Sequence, residues 1–462
     1  MKPRLFILCF AFTLMYSFTS AQQIKPLNNA NVQSESPETL DKAGLANQVR
    51  NEFLHAWQGY RQYAWGYDAL MPLSKKGHNW YSHSLLMTPV DALDAMLIMG
   101  LNDEAKDAEK IILDSLRFDY DMDVQNFEVS IRILGGLLSV YELNGDKCFL
   151  DLATDLGNRL IKAFDSPTGM PYRYVNLLTG KTNGNISNPA EIGTYIVEYG
   201  VLSRHTGNPK YFETAKKAML ALHKLRSPIN LTGTSINVET GEWTETDSHI
   251  SGCIDSYLEY MLKSSILFND KDMRELWNTS IVAVNKYLAD TQYDGFWYGH
   301  SDMNTGKRSA TIYGSLDAFF AASLAMSGDL TRAEKLQESN YKMFMLNDIE
   351  PEELNYATME ITNANYILRP ENIESAYYLY NYTHDEKYLR QGRNMFQNIV
   401  TYCRTPEAYA ALKDVKTKEK RDYMESFFLA ETLKYAFLLF DDNRSLDFNK
   451  VIFNTEAHPY KR

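Results

Sequence analysis

Residues 124–149 read VQNFEVSIRILGGLLSVYELNGDKCF. Apolar residues recur through this stretch at helical spacing, and the helix stops at Gly145-Asp146. Glycine, Asn and Asp are the residue types that cap one helix and start the next. The same punctuation returns at Asn102-Asp103, Gly207-Asn208, Asn269-Asp270, Gly328-Asp329, His384-Asp385 and Asp441-Asp442. Most of these breaks lie about 55–60 residues apart, a repeat period that marks stacked supersecondary units. Each break is read as following an apolar helix and preceding an amphipathic one. Seven such hairpins predict an all-α (α/α)7 barrel, with apolar helices inside and amphipathic helices outside. An open solenoid of helix pairs is the plainer alternative, but a closed ring buries both ends.

Acidic residues keep nearly the same period. Glu128, Glu191, Asp255, Glu371 and Glu425 stand in apolar helical runs, with Asp317 between the third and fourth. Carboxylates are rarely buried without partners. Each one alone has an ordinary explanation. Glu128 pairs with Arg132 one turn on, and Glu371 follows Pro370 at a helix start. Six in register predict a ring of acids at one end of the barrel. Such a ring repels itself unless it holds a cation or takes up protons, which suits a hard metal ion, acid/base catalysis, or both. Trp65, Trp80, Tyr81, Phe427 and Phe428 supply aromatic faces of the kind that pack on sugars, or ordinary core.

The chain has 462 residues, 45% hydrophobic and 13% aromatic, with a formal net charge of −12. That balance argues against nucleic acid and against anionic membranes. Lys2 and Arg4 precede an apolar run to Phe18, and Thr19-Ser20-Ala21 offers a cleavage site. Residues 1–21 therefore read as an export signal. Residues 22–44 read as a flexible lead-in and residues 45–462 as one catalytic barrel. The mature protein is expected in the periplasm or the medium, free of the membrane and monomeric. Beyond the signal, Cys148, Cys253 and Cys403 form no disulfide framework. His78 and His83 lack zinc-ligand spacing, so no zinc site is expected.

Across residues from about Leu45 to the end, the chain resembles glycoside hydrolase family 47, the class I α-1,2-mannosidases. The likeness is carried by YAWGYDALMPLS, TPVDALDAMLIMGL, FEVSIRILGGLLSVYELNGD, DSPTGMPYRYVN, DSYLEYMLK, LRPENIES, ESFFLAETLKYAFLLF and FNTEAHP, in that order. The resemblance implies an (α/α)7 barrel plugged by the C-terminal segment. It implies that Thr455 binds Ca2+ through its hydroxyl and backbone oxygens, and that Glu431 and Glu456 hold the metal's waters. By the same resemblance Glu128 is the general acid, Asp255 an alternative acid and Glu371 the general base, with Glu352 a further catalytic carboxylate. Arg132, Glu191, Arg369, Glu374, Glu425 and Phe427 are implied as sugar-site residues, with Phe427 the stacking platform. The implied reaction is Ca2+-dependent hydrolysis, with inversion, of terminal α-1,2-linked mannose on high-mannose glycans or mannans. Inversion needs two carboxyl groups with room between them for water. A weakly active or inactive glycan-binding relative is the alternative. Cys253 stands where eukaryotic members that trim in the endoplasmic reticulum carry an arginine, Gly314-Ser315 where many eukaryotic members have an Asp-His pair, and the paired cysteines of many eukaryotic members are absent. These departures imply a bacterial-type member.

Overall fold

The computed structural model describes residues 40–462 except Asn443. The export signal expected over residues 1–21, and most of the lead-in expected over 22–44, lie outside the described residues. The first helix opens at Lys42, slightly ahead of the expected start, because the Asp41 carboxylate accepts the Gly44 N–H and caps it.

Seven inner helices form the barrel: Met87–Met99, 126–144, 189–206, Asp255–Leu267, 316–327, Glu371–Thr383 and 428–440. They are buried on nearly all sides, as expected of helices enclosed by others. The outer helices are amphipathic. Lys387–Cys403, for example, buries the stripe of Tyr388, Leu389, Met395, Phe396, Ile399 and Cys403, while Gln397 and Thr401 on the other face are exposed. Six breaks fall where the sequence puts them. Gly145, Gly207 and Gly328 take left-handed backbone at the caps, and Asp146, Asp270 and Asp329 accept N–H groups of the following helices.

The seventh break departs from the expectation. After Asp441 no amphipathic helix follows among the described residues, and the chain turns into its C-terminal segment. The outer partner of helix 428–440 is the N-terminal helix Lys42–Tyr63, which packs against it. The two chain ends thus close the ring together, a pairing that no local pattern reports.

Short antiparallel strands join each outer helix to the next inner one. Asp123–Gln125 pairs with Tyr174–Asn176, and Ile186–Ser187 with Ser235–Asn237. These strands deliver the chain to the N-termini of the inner helices, all at one end of the ring. Among the described residues no helix is long and apolar enough to cross a membrane.

The C-terminal hairpin pairs Val451–Phe453 with Pro459–Lys461, and its tip enters the ring. Tyr460 donates to the Gly135 carbonyl. A side chain at Gly135 would meet Asn454 Nδ2 at 2.8 Å, so this close approach requires a glycine there.

Candidate active site

The acids keep the hairpin period because they occupy equivalent places. Glu128, Glu191, Asp255, Asp317 and Glu371 all stand in the first turn of an inner-helix segment. The positive end of the helix dipole stabilises a carboxylate there. Two of the inner helices also carry a π-helical turn, over Ser130–Leu134 and Phe428–Thr432. Such turns concentrate at functional sites. One presents Arg132 to the cavity and the other presents Glu431. Backbone strain gathers beside them. Cys253, Leu368 and Ala457 all have positive φ, at 78°, 71° and 57°.

A cavity of about 270 Å³ opens at this end of the ring. Its wall includes Glu128, Glu191, Asp255, Glu371, Glu374, Glu431 and Glu456, with Arg132, Arg369, Phe427 and Thr455. Glu259 joins them without having been expected, although it lies one turn after Asp255 on the same helix face. Eight carboxyl groups thus face two guanidinium groups.

The arginines are held by acids. Arg132 Nε donates to Glu128 Oε2 at 3.0 Å, and its Nη1 bonds Glu456. Arg369 grips both Glu352 oxygens, with Nη2–Oε2 at 3.0 Å, and its Nη1 lies 3.5 Å from Glu371 Oε1. Both guanidinium groups also lie over the Phe427 ring, at 5.7 and 5.9 Å from its centroid. Trp80 covers Arg132 from another side, at 5.5 Å. Glu191 accepts two bonds from Arg173, each 2.7 Å, and one from Gln125.

Three acids from the sequence reading, and the aromatic Trp65, stand off the cavity wall. Glu352 precedes the strand Glu353–Asn355 instead of starting an inner helix, and it reaches the site through Arg369. Glu425 lies near Arg132 and Arg369, one turn ahead of the last inner helix. Asp317 is buried behind the wall, where its Oδ2 accepts the Gly314 N–H at 2.7 Å. Trp65 packs on Trp57 and Tyr60, far from any role in this cavity.

The excess of acids shows in their protonation. Burial pushes Asp255 up to about 7, with Glu259 and Asp317 adding to it. Burial also holds Glu371 well above the usual carboxylate range, against the pull of Arg369. Burial and then the Glu456 carboxylate raise Glu431. Glu371 Oε2 has no hydrogen-bond partner.

Thr455 is presented by a clamped hairpin tip. Its N–H donates to Tyr260 Oη at 3.1 Å, and that hydroxyl donates to Glu198 at 2.6 Å. Asn454 donates to Ile131 O and Glu198, while its Oδ1 accepts the N–H groups of Glu456 and His458. Lys263 Nζ reaches Asn454 O, and Lys434 Nζ reaches Ala457 O at 2.7 Å. Glu456 and Thr455 therefore face the acids from the barrel axis.

A plugged helical toroid with paired carboxyl groups in one cavity defines a glycosidase-type site. Residues 52–462 match glycosyl hydrolase family 47, and the chain belongs to that family. It is a glycoside hydrolase whose relatives are α-1,2-mannosidases that trim mannose from glycans. An α-mannosidase I of Arabidopsis thaliana is 36% identical over 448 residues, 92% of this chain and 71% of the relative. The human mannosyl-oligosaccharide 1,2-α-mannosidase IB is 33% identical over 470 residues, 94% of this chain and 72% of the relative. The solved structure of an α-1,2-mannosidase from Trichoderma reesei superposes with a TM-score of 0.84 at 27% identity. That match covers 91% of this chain and 99% of the Trichoderma chain.

Proposed function

We propose that the protein is a Ca2+-dependent, inverting exo-α-1,2-mannosidase. The observation that carries this reading is the meeting of Glu128, Asp255 and Glu371 with Thr455 around one cavity. Its volume lies just below the range of roughly 300–1,000 Å³ typical of small-molecule sites, a size that suits one terminal sugar ring.

The donor set fits a hard cation. Eight carboxyl groups and the Thr455 hydroxyl line the cavity, one buried carboxylate oxygen of Glu371 lacks a partner, and the acids outnumber the bases. Thr455 would hold the ion through its oxygens, with Glu431 and Glu456 holding its waters. When bound, Ca2+ would supply positive charge that offsets the carboxylates and grips sugar hydroxyls.

The chain's own groups divide the remaining work. Glu371, relieved of its proton, is suited to draw a proton from water. The acid that protonates the leaving oxygen is Glu128 or Asp255, and their surroundings differ. Glu128 is ion-paired to Arg132, whereas burial keeps a proton on Asp255 up to about pH 7. Asp255 is therefore the better placed proton donor, and Glu128, held by Arg132, is the alternative. Arg369 orients Glu371 and binds Glu352. Phe427, backed by both arginines, offers its ring to the sugar face.

The apolar run that follows Lys2 and Arg4 supports export, and we further propose a bacterial-type enzyme that acts as a monomer on mannans or scavenged glycans. The test is to incubate the mature protein with α-1,2-mannobiose and with high-mannose glycans, following the first-formed anomer by NMR. Release of β-mannose is expected. Release of α-mannose would rule out inversion, and no mannose release would rule out the enzyme reading.

A further inference from the structure

Outside the sugar cavity, Asp247, His249 and His300 each bring a donor atom within 4.8 Å of the others. None of the three lines the cavity. Asp247 opens the short strand Asp247–Ser248 and His249 follows it, ahead of Gly252 and Cys253 on the cavity wall, and His300 opens the strand His300–Asp302 paired with it. More than fifty residues separate the two segments.

The hydrogen bonds leave a lone pair of each imidazole open. The Thr234 hydroxyl spends its single proton on the Asp247 carbonyl, at 2.7 Å. At its 3.1 Å contact with His249 Nε2 it can therefore only accept. His249 carries its proton on Nε2, and Nδ1 is left as a bare lone pair. That nitrogen is buried and meets no close hydrogen-bond partner, although the Ser251 backbone lies beside the ring, and a buried polar atom normally has one. Burial, and then the neighbouring His300, hold the His249 imidazole well below its ordinary value, so the ring stays neutral.

The other two groups are poised in a complementary way. His300 Nδ1 donates to Asp247 Oδ2 at 2.6 Å, while Ser309 donates to Asp247 Oδ1 at 2.6 Å. His300 Nε2 makes no hydrogen bond to protein among the described residues, and the two imidazole rings stack at 4.5 Å. The His300 Nδ1 proton stands between two groups that can both ligate, and an ion entering there would replace it, meeting His300 through Nδ1 and Asp247 through Oδ2.

We propose that Asp247, His249 and His300 form a second metal site, for a first-row transition ion of the Zn2+ class. Two imidazole nitrogens and a carboxylate suit such an ion and not Ca2+, which takes oxygens. Zinc–nitrogen bonds of about 2.0–2.1 Å require the stacked rings to turn out of their near-parallel arrangement, so that a nitrogen of each points at a common centre. Bound there, the ion ties the strand before the 251–253 turn to the strand His300–Asp302. It thereby stiffens the edge of the sugar cavity formed by Gly252 and Cys253. This site does not depend on the calcium reading.

The test uses the mature chain, stripped of metal and then saturated with CaCl2, so that any calcium site is filled. Titration with ZnCl2 in a calorimeter is expected to give one Zn2+ per chain, with a rise in melting temperature. His249→Gln and His300→Ala are each expected to weaken binding by at least about tenfold and to remove the melting shift, while keeping the wild-type circular dichroism. Cobalt substitution gives a second readout, as a visible absorption band lost in His249→Gln. No Zn2+ binding by the wild type overturns the proposal, as does equal binding by both variants. Should one variant fail to fold, the other decides in the same way.

Discussion

His458 Nδ1 lies 2.8 Å from Asp94 Oδ2, inside the wall of the barrel, and its Nε2 lies 3.2 Å from Asp91 Oδ1. Lys434 closes the group at 2.6 Å from Asp94 Oδ1. All four side chains are fully buried. Through this cluster the last residues of the chain are locked to the inner helices, and Thr455 is carried into the cavity.

Removing the imidazole strands part of that cluster. His458→Gln is expected to cost about 3–5 kcal/mol of stability, the range for breaking a buried ion pair from one side. Denaturant unfolding at neutral pH measures it. A loss below 1 kcal/mol would mean the cluster does not hold the plug.

The same group sets a pH dependence. The carboxylates raise His458 from its ordinary 6.5 to about 9, against the opposing pull of burial. Below about pH 6.5 the proton is bound in both folded and unfolded chains, and the stabilisation is complete. Between 6.5 and 9 the unfolded chain gives up its proton first, so stability falls as pH rises. Asp94 works from the other side. Burial raises it, but Lys434 and His458 prevail and hold it below the usual range, so its contribution fades only in acid. Melting curves from pH 6 to pH 9.5 should show the decline in the wild type and a flatter response in His458→Gln.

Glu128→Gln and Glu371→Gln are each expected to lower kcat by about a hundredfold or more, the scale of a general acid or base, with unchanged circular dichroism. Near-normal turnover in either would remove that residue from its assigned part.

Asp255 separates the two candidate acids. As its carboxyl loses a proton near pH 7, a reaction that needs the protonated form slows at higher pH. The alkaline limb of kcat/KM should vanish in Asp255→Asn and persist in Glu128→Gln. The reverse result would assign the proton to Glu128.

Chelation is expected to abolish mannose release and to lower the melting temperature, with both restored by CaCl2. Full activity in excess chelator would contradict a metal at Thr455. Thr455→Ala, with its hydroxyl gone, should need more CaCl2 for the same melting shift.

Much of the barrel was legible along the chain because its signals are local. A Gly145-Asp146 break, an apolar run and an acid at a helix start each depend on a few neighbouring residues, and a ring repeats them at a fixed period. That periodicity predicted seven inner helices and grouped Glu128, Glu191, Asp255 and Glu371. It also included Asp317 and Glu425, which share the spacing but not the wall of the cavity. Spacing reports where along a helix a residue falls, and not how far its side chain is turned from the axis.

What the amino-acid order determined by itself was the repeat, the helix N-termini that carry the acids, and the polar tail segment Asn454–His458. Only the tertiary structure decided that helix Lys42–Tyr63 closes the ring, that Glu352 pairs with Arg369, and that Asp247, His249 and His300 meet. It also decided that His458 finds Asp94 across 364 positions of chain. Local propensity and capping act over a turn or two, whereas these pairings arise when a closed ring buries its charges and each must find a partner.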